Sequence, residues 1–108
     1  MNLKYILLLC TIFLTCLQAN EKKVDCLILE DENSIICKYS HQRISVEKYI
    51  TVQWIEPDNL ISRTRDMLIP AFHASVYDYR YVHGRTKGIR TFKVIDNKEE
   101  FTTTFTIK

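Results

Sequence analysis

Between Ser75 and Arg90 the chain reads SVYDYRYVHGRTKGIR, which gathers three tyrosines, three arginines, a histidine and both glycines of the protein. Tyr77, Tyr79 and Tyr81 recur at every second position, so on a strand they share one side. Rings so placed can form a flat aromatic surface for a sugar, a peptide or stacked bases. The plainer use is half-cover of a sheet face with the hydroxyls reaching water. Asp78 and Arg80 fall on the opposite side, where a solvated or cross-strand ion pair is the expected arrangement. A small hydrolase would have to recruit His73 or His83 with Asp78 as its acid–base pair.

The loop HGRTKG, with Arg85 between Gly84 and Gly88, has the composition of an anion cradle. A phosphate cradle needs a helix after it and closer glycines. Here IRTFKVID follows, which is strand-like, so the glycines are expected to supply positive φ between two strands. Arg63 and Arg65 share one side of LISRTRDMLIP and are suited either to an acidic partner or to a solvated strand face. His41, His73 and His83 have no ligand spacing, and none of Ser34, Ser40, Ser45, Ser62 or Ser75 lies in a Gly-x-Ser-x-Gly elbow. The expectation is therefore no metal, no cofactor and no catalytic residue, and candidate binding side chains at Tyr77, Tyr79, Tyr81, Arg63, Arg65 and Arg85.

The elements that must carry these residues follow from periodicity. The first nineteen residues, with Lys4, an apolar run from Tyr5 to Leu17 and Ala19, have the layout of a cleavable secretory signal. The uncharged run is shorter than the ~20 residues of a membrane span. The alternatives are an uncleaved anchor and lipid attachment at Cys16. Loss of the leader removes Lys4 and leaves fourteen basic against thirteen acidic side chains, a balance that gives no electrostatic case for nucleic acid. It also removes Cys10 and Cys16, leaving Cys26 and Cys37, an even number suited to one disulfide in an exported protein. Two reduced buried thiols are the alternative.

VDCLILE and SIICKY flank the turn-like DENS. As a hairpin with Asp31 and Glu32 at its tip they set Cys26 directly opposite Cys37. A loop one residue longer, with Asn33 left-handed, would shift that register by one. YITVQWIEP puts Ile50, Val52 and Trp54 on one face, and Pro57 stops it. EFTTTFTIK puts Phe101, Thr103, Phe105 and Ile107 on one face and Thr102, Thr104 and Thr106 on the other. With IRTFKVID aligning Phe92 and Val94, the chain shows seven candidate strands and no convincing long helix, the pattern of an all-β antiparallel sandwich over residues 20–108. FHASVY could hold a helical turn, and HQRISVEKY a short helix or an edge strand.

Trp54-Ile55-Glu56-Pro57-Asp58-Asn59 resembles the Trp-x-x-Pro-Asp-Gly corner of small exported bacterial immunoglobulin-like sandwich domains. Gly84 to Val94 resembles their Gly-Arg-x-x-Gly-x-Trp-x-x-x-Val run, and Phe105-Thr106-Ile107 their closing Phe-x-Val strand. Asn59 stands where glycine is usual, and Arg90 where tryptophan is usual, so Phe92 is expected to fill the core there. The resemblance implies an immunoglobulin-like sandwich and an extracytoplasmic compartment, with no shared catalytic residues. These readings together lead to an exported, non-enzymatic envelope protein, periplasmic or secreted, acting through protein–protein contacts. The alternatives are a carbohydrate-binding module on the tyrosine face and a small hydrolase.

Overall fold

In a computed structural model that describes residues 22–108, the chain forms two antiparallel sheets packed face to face. The strands are β1 (Lys23–Leu29), β2 (Ser34–Ser40), β3 (Lys48–Ile55), β4 (Ile61–Ile69), β5 (Ser75–Tyr81), β6 (Gly88–Asp96) and β7 (Glu99–Ile107). One sheet has the order β1-β2-β5 and the other β4-β3-β6-β7. The pairings β1-β2-β5 and β3-β6-β7 are those of an immunoglobulin-like sandwich, with β4 placed beside β3 rather than beside β5. The leader and Cys16 lie outside the described residues. Among those residues no helix is long and apolar enough to cross a membrane.

Alternation decides what each strand buries. Ile50, Val52 and Trp54 of β3 face Phe92 and Val94 of β6, paired Val52 with Val94 and Trp54 with Phe92. Phe105 and Ile107 of β7 complete that layer, while Val24, Ile35, Cys37 and Tyr39 supply the opposing one. Trp54 sits at the centre, edge-on to Phe92 at 5.0 Å and to Phe105 at 6.0 Å between ring centroids. Phe92 fills the core opposite Trp54, and Arg90, two residues before it, is itself buried.

Cys26 and Cys37 form a disulfide between adjacent strands, in the register expected, with their Cα atoms 4.1 Å apart. The hairpin loop is a 3-10 turn, Glu30–Glu32, closed by Asn33 at φ 55°. Asn33 is therefore left-handed without the shift of register that this conformation was expected to bring. The left-handed residue is the fourth of a four-residue loop rather than an addition to it.

The Trp-Ile-Glu-Pro-Asp-Asn corner begins with a bulge at Trp54/Ile55 and turns through Asn59 at φ 70°, with the Glu56 amide donating to Leu60 O at 2.8 Å. Pro57 lies against Gly88, where a Cβ would come within 3.0 Å of its ring, so Gly88 serves close packing as well as its φ of 133°. Two other expectations differ from the structure. Residues 41–47 form neither helix nor strand, and 71–74 form a turn rather than a helical segment, with Phe72 at φ 67°. The two connections satisfy each other. The Phe72 amide donates to Ile44 O at 2.7 Å and Arg43 donates to Phe72 O at 2.9 Å, so backbone groups that would otherwise drive local helix are already paired.

Two outcomes follow. Trp54→Ala should cost about 3–5 kcal/mol, against a total stability on the order of 5–10 kcal/mol, and the wild-type indole emission should be blue-shifted and shielded from iodide. The native protein should be two protons lighter than its reduced form by mass spectrometry. Reduction should lower its melting temperature, the closed loop being worth about 3 kcal/mol.

Candidate functional site

The three tyrosines project from the outer face of the three-stranded sheet, away from the core. Tyr77, Tyr79 and Tyr81 are 55%, 60% and 60% exposed. Across β2 they stand beside Lys38, Ile36 and Ser34 respectively, and beyond these lie Asp25, Leu27 and Leu29 of β1. Lys38 Nζ approaches the Tyr77 ring at 6.0 Å from its centroid. Asp25, Leu27, Ile36, Lys38 and Tyr77 line one open depression on this face. Alternate side chains on one strand are about 6.6 Å apart, so the rings form a row about 13 Å long.

The other side of β5 is not a solvated face. Asp78 is 3% exposed. Its Oδ2 accepts from Trp54 Nε1 at 2.8 Å, and its Oδ1 accepts from Arg65 at 2.7 Å and from the Tyr79 amide at 3.0 Å. Arg63 lies 3.7 Å from the same oxygen and donates to Tyr79 O at 3.3 Å. Arg80 covers the Trp54 ring at 5.7 Å and donates to Ser62 Oγ, which donates in turn to Trp54 O. Arg85 Nε donates to Tyr81 O at 3.1 Å. In place of the expected solvated or cross-strand pairing of Asp78 and Arg80, Asp78 is a buried carboxylate that bridges the two sheets and pairs with Arg65 of β4. Arg63 and Arg65 point to one side as expected, but that side is the seam between β4 and β5, not an open strand face. The signal available in the sequence was an acid at an inward position of a strand opposite the only tryptophan.

A second buried carboxylate, Asp96, closes the far end of the core. Its Oδ2 accepts from Tyr39 Oη and from Lys48 Nζ, each at 2.7 Å, and Lys22 Nζ lies 3.7 Å away while bonded to Glu99. Burial alone would raise this carboxyl. The hydrogen bonds from Lys48 and Tyr39, with the charges of Lys48 and Lys22, outweigh burial and hold it below the usual carboxylate range. The Tyr39 phenol is pushed up, first by burial and then by its bond to Asp96. At the opposite end Arg90, buried, pairs with Glu56 and donates to Thr86 O and Oγ1 at 2.9 Å.

The histidines do not join these groups. His73 and His83 are exposed, and neither bonds to Asp78, whose oxygens are taken as described. His83 lines an open depression with Glu30, Asn33 and Thr106, and its amide donates to Asn33 Oδ1 at 2.6 Å. Buried His41 stacks on Tyr39 at 5.6 Å and contacts Gln42 O through Nδ1. Among the described residues no three His, Cys, Asp or Glu side chains gather at metal-binding distance.

The Asp96 arrangement sets a pH dependence. A carboxyl whose folded value lies below its unfolded value of about 4 contributes stability in full above that value and loses it as pH falls through the folded one. Denaturant titrations of wild type should show stability falling below about pH 4. Asp96→Asn should be less stable at pH 7 and flatter below pH 4, and parallel curves for the two proteins would contradict the assignment. The chain matches no protein-family model, and no characterised protein matches it in sequence.

Proposed function

We propose that this protein is an exported, non-enzymatic binding module of the bacterial envelope, and that it docks a protein partner on the tyrosine face of β1-β2-β5. The observation that carries the reading is the unbroken row of three rings along β5; among the described residues the outer face of the four-stranded sheet exposes Tyr49, Leu68 and Ile89 but no such row. Where β7 turns outward it shows threonines, Thr102, Thr104 and Thr106, which suit contact with water. Where β5 turns outward it shows three rings more than half exposed, beside Leu27 at 59%. Tyrosine is enriched at protein interfaces because it offers a large apolar body with a polar tip and few rotatable bonds. Export is supported by the leader pattern and by a disulfide that suits an oxidising compartment.

Docking on the face, rather than by adding a strand to the β5 edge, is supported by the state of that edge. In the alternating β2–β5 ladder, the bonds joining Val82 to Asn33 and His41 to Ala74 place the backbone groups of Tyr77, Tyr79 and Tyr81 outward. Asp78 already accepts from the Tyr79 amide, Arg63 donates to its carbonyl and Arg85 donates to the Tyr81 carbonyl. Such covering is a usual defence of an edge strand. A carbohydrate ligand is the second reading, favoured by the same exposure of the rings.

The test is capture by crosslinking from the envelope fraction, comparing wild type with Tyr77→Ser/Tyr79→Ser/Tyr81→Ser. The triple variant should keep its melting temperature within a few degrees, since exposed positions contribute little to stability. It should lose the partner by tenfold or more in affinity, as central aromatic contacts dominate interfaces. Capture of the same partner at undiminished yield would overturn the docking face. Retention of neutral glycans by wild type alone would select the carbohydrate reading.

A further inference from the structure

Four guanidinium groups line the seam where β4 meets β5, and only one carboxylate answers them. Along β5 each successive residue receives a polar bridge: Asp78 from Arg65, the Tyr79 carbonyl from Arg63, Arg80 to Ser62, and the Tyr81 carbonyl from Arg85. Asp78 is the only carboxylate in ion-pair range of these arginines among the described residues. Elsewhere Lys22, Lys48, Arg90 and Lys93 each meet an acid of their own. One charge of the seam neutralises Asp78, and three remain in excess.

We propose that this arginine seam binds an anionic polysaccharide, whose sulfate, phosphate or carboxylate groups lie along β5 from Arg65 to Arg85. A guanidinium carries five donors. Arg63, Arg65 and Arg85 each commit one hydrogen bond to the protein among the described residues, and the side chains of Arg63 and Arg65 remain 34% and 49% exposed. Planar forked donors of this kind suit the oxygens of carboxylate, sulfate and phosphate. Arg80 behaves as the crowded member of the set. Its Nε is buried without a partner, and burial, then the neighbouring charges of Arg85 and Arg63, make its proton easier to lose. An external anion along the seam relieves that repulsion.

The choice of a glycan over an acidic peptide rests on the backbone. A peptide gains most of its affinity for a sheet edge from main-chain bonds. At Tyr79 both backbone groups, and at Tyr81 the carbonyl, are already bonded to side chains. What remains is a row of charged donors about 10 Å long on the side of β5 away from the tyrosine rings. A stiff glycan chain bearing regularly spaced anions matches that row of donors without needing main-chain bonds. The seam lies on the inward side of β5 and is separate from the protein-docking face proposed above, so either can fail alone.

Calorimetric titration with a sulfated heparin oligosaccharide is the test, with polyglutamate of matched charge and neutral dextran as comparisons. The heparin probe should bind, and should weaken about tenfold or more when salt is raised from about 50 to about 200 mM. Arg63→Gln/Arg85→Gln should weaken it about tenfold or more at an unchanged melting temperature, because neither residue is the closest partner of Asp78. Arg85→Gln alone, a loop change, should give a smaller loss and guards against misfolding of the double variant. Lys98→Gln, an equal change of charge in the β6–β7 turn, should leave binding intact. Polyglutamate binding as tightly as heparin, undiminished binding by the arginine variants, or an equal loss in Lys98→Gln would each overturn the proposal.

Discussion

The hydrogen bond from the Trp54 indole to Asp78 holds the two sheets in one arrangement. Desolvating a carboxylate costs several kcal/mol unless its oxygens are satisfied, and a buried indole N–H is costly in the same way. Each group here answers the other, and each comes from a different sheet. Arg65 sets an opposite charge 2.7 Å from Asp78, and it too comes from the opposite sheet. Apolar packing alone would let the sheets slide, since dispersion between rings and methyls has no direction. A carboxylate that must find an indole and a guanidinium removes that freedom, and with it fixes how β5, an edge strand, lies over β3 and β4.

The central pair β3–β6 is constrained in a related way. Inward, β3 presents Lys48, Ile50, Val52 and Trp54, with Glu56 just past its end, and β6 presents Arg90, Phe92, Val94 and Asp96. The strands are antiparallel, so Lys48 meets Asp96 at one end and Glu56 meets Arg90 at the other. A slip by one residue would turn the apolar set outward. A slip by two would preserve alternation but set Glu56 against Phe92 or Arg90 against Trp54. The ion pairs thus choose among registers that the apolar residues alone treat as similar, which is the best-attested use of buried charge.

Much of the fold was legible because period two survives in short strands. β3 and β7 were readable from Ile50, Val52, Trp54 and from Phe101, Phe105, Ile107, and the turn DENS set Cys26 against Cys37. The site was less legible. Alternation says which side of a strand a residue takes, but not whether a second sheet covers that side. Asp78 could therefore be read as solvated or as a cross-strand partner, and Arg63 and Arg65 as solvated or as free for an acidic partner, but not as meeting at the seam between the sheets. Arg90 and Asp96 gave no sign of closing the core ends. The connections 41–47 and 71–74 were misread for a related reason. Their hydrogen bonds run between Phe72 and Ile44, a pairing that no local pattern announces. The tyrosines were readable as sharing one side, while their exposure depended on the opposite side being the buried one.

The disulfide has a mechanical meaning distinct from its effect on equilibrium stability. It joins neighbours within one sheet, not the two sheets to each other. Tension on the chain ahead of β1 can peel the strand only as far as Cys26. There the load passes through sulfur to Cys37, which is fully buried on the inner strand β2 between β1 and β5. Pulling from the N-terminal side thus meets the interior of the sheet instead of unzipping its edge hydrogen bond by hydrogen bond. The covalent link turns a strand that would tear away into a strap sewn to the body of the domain.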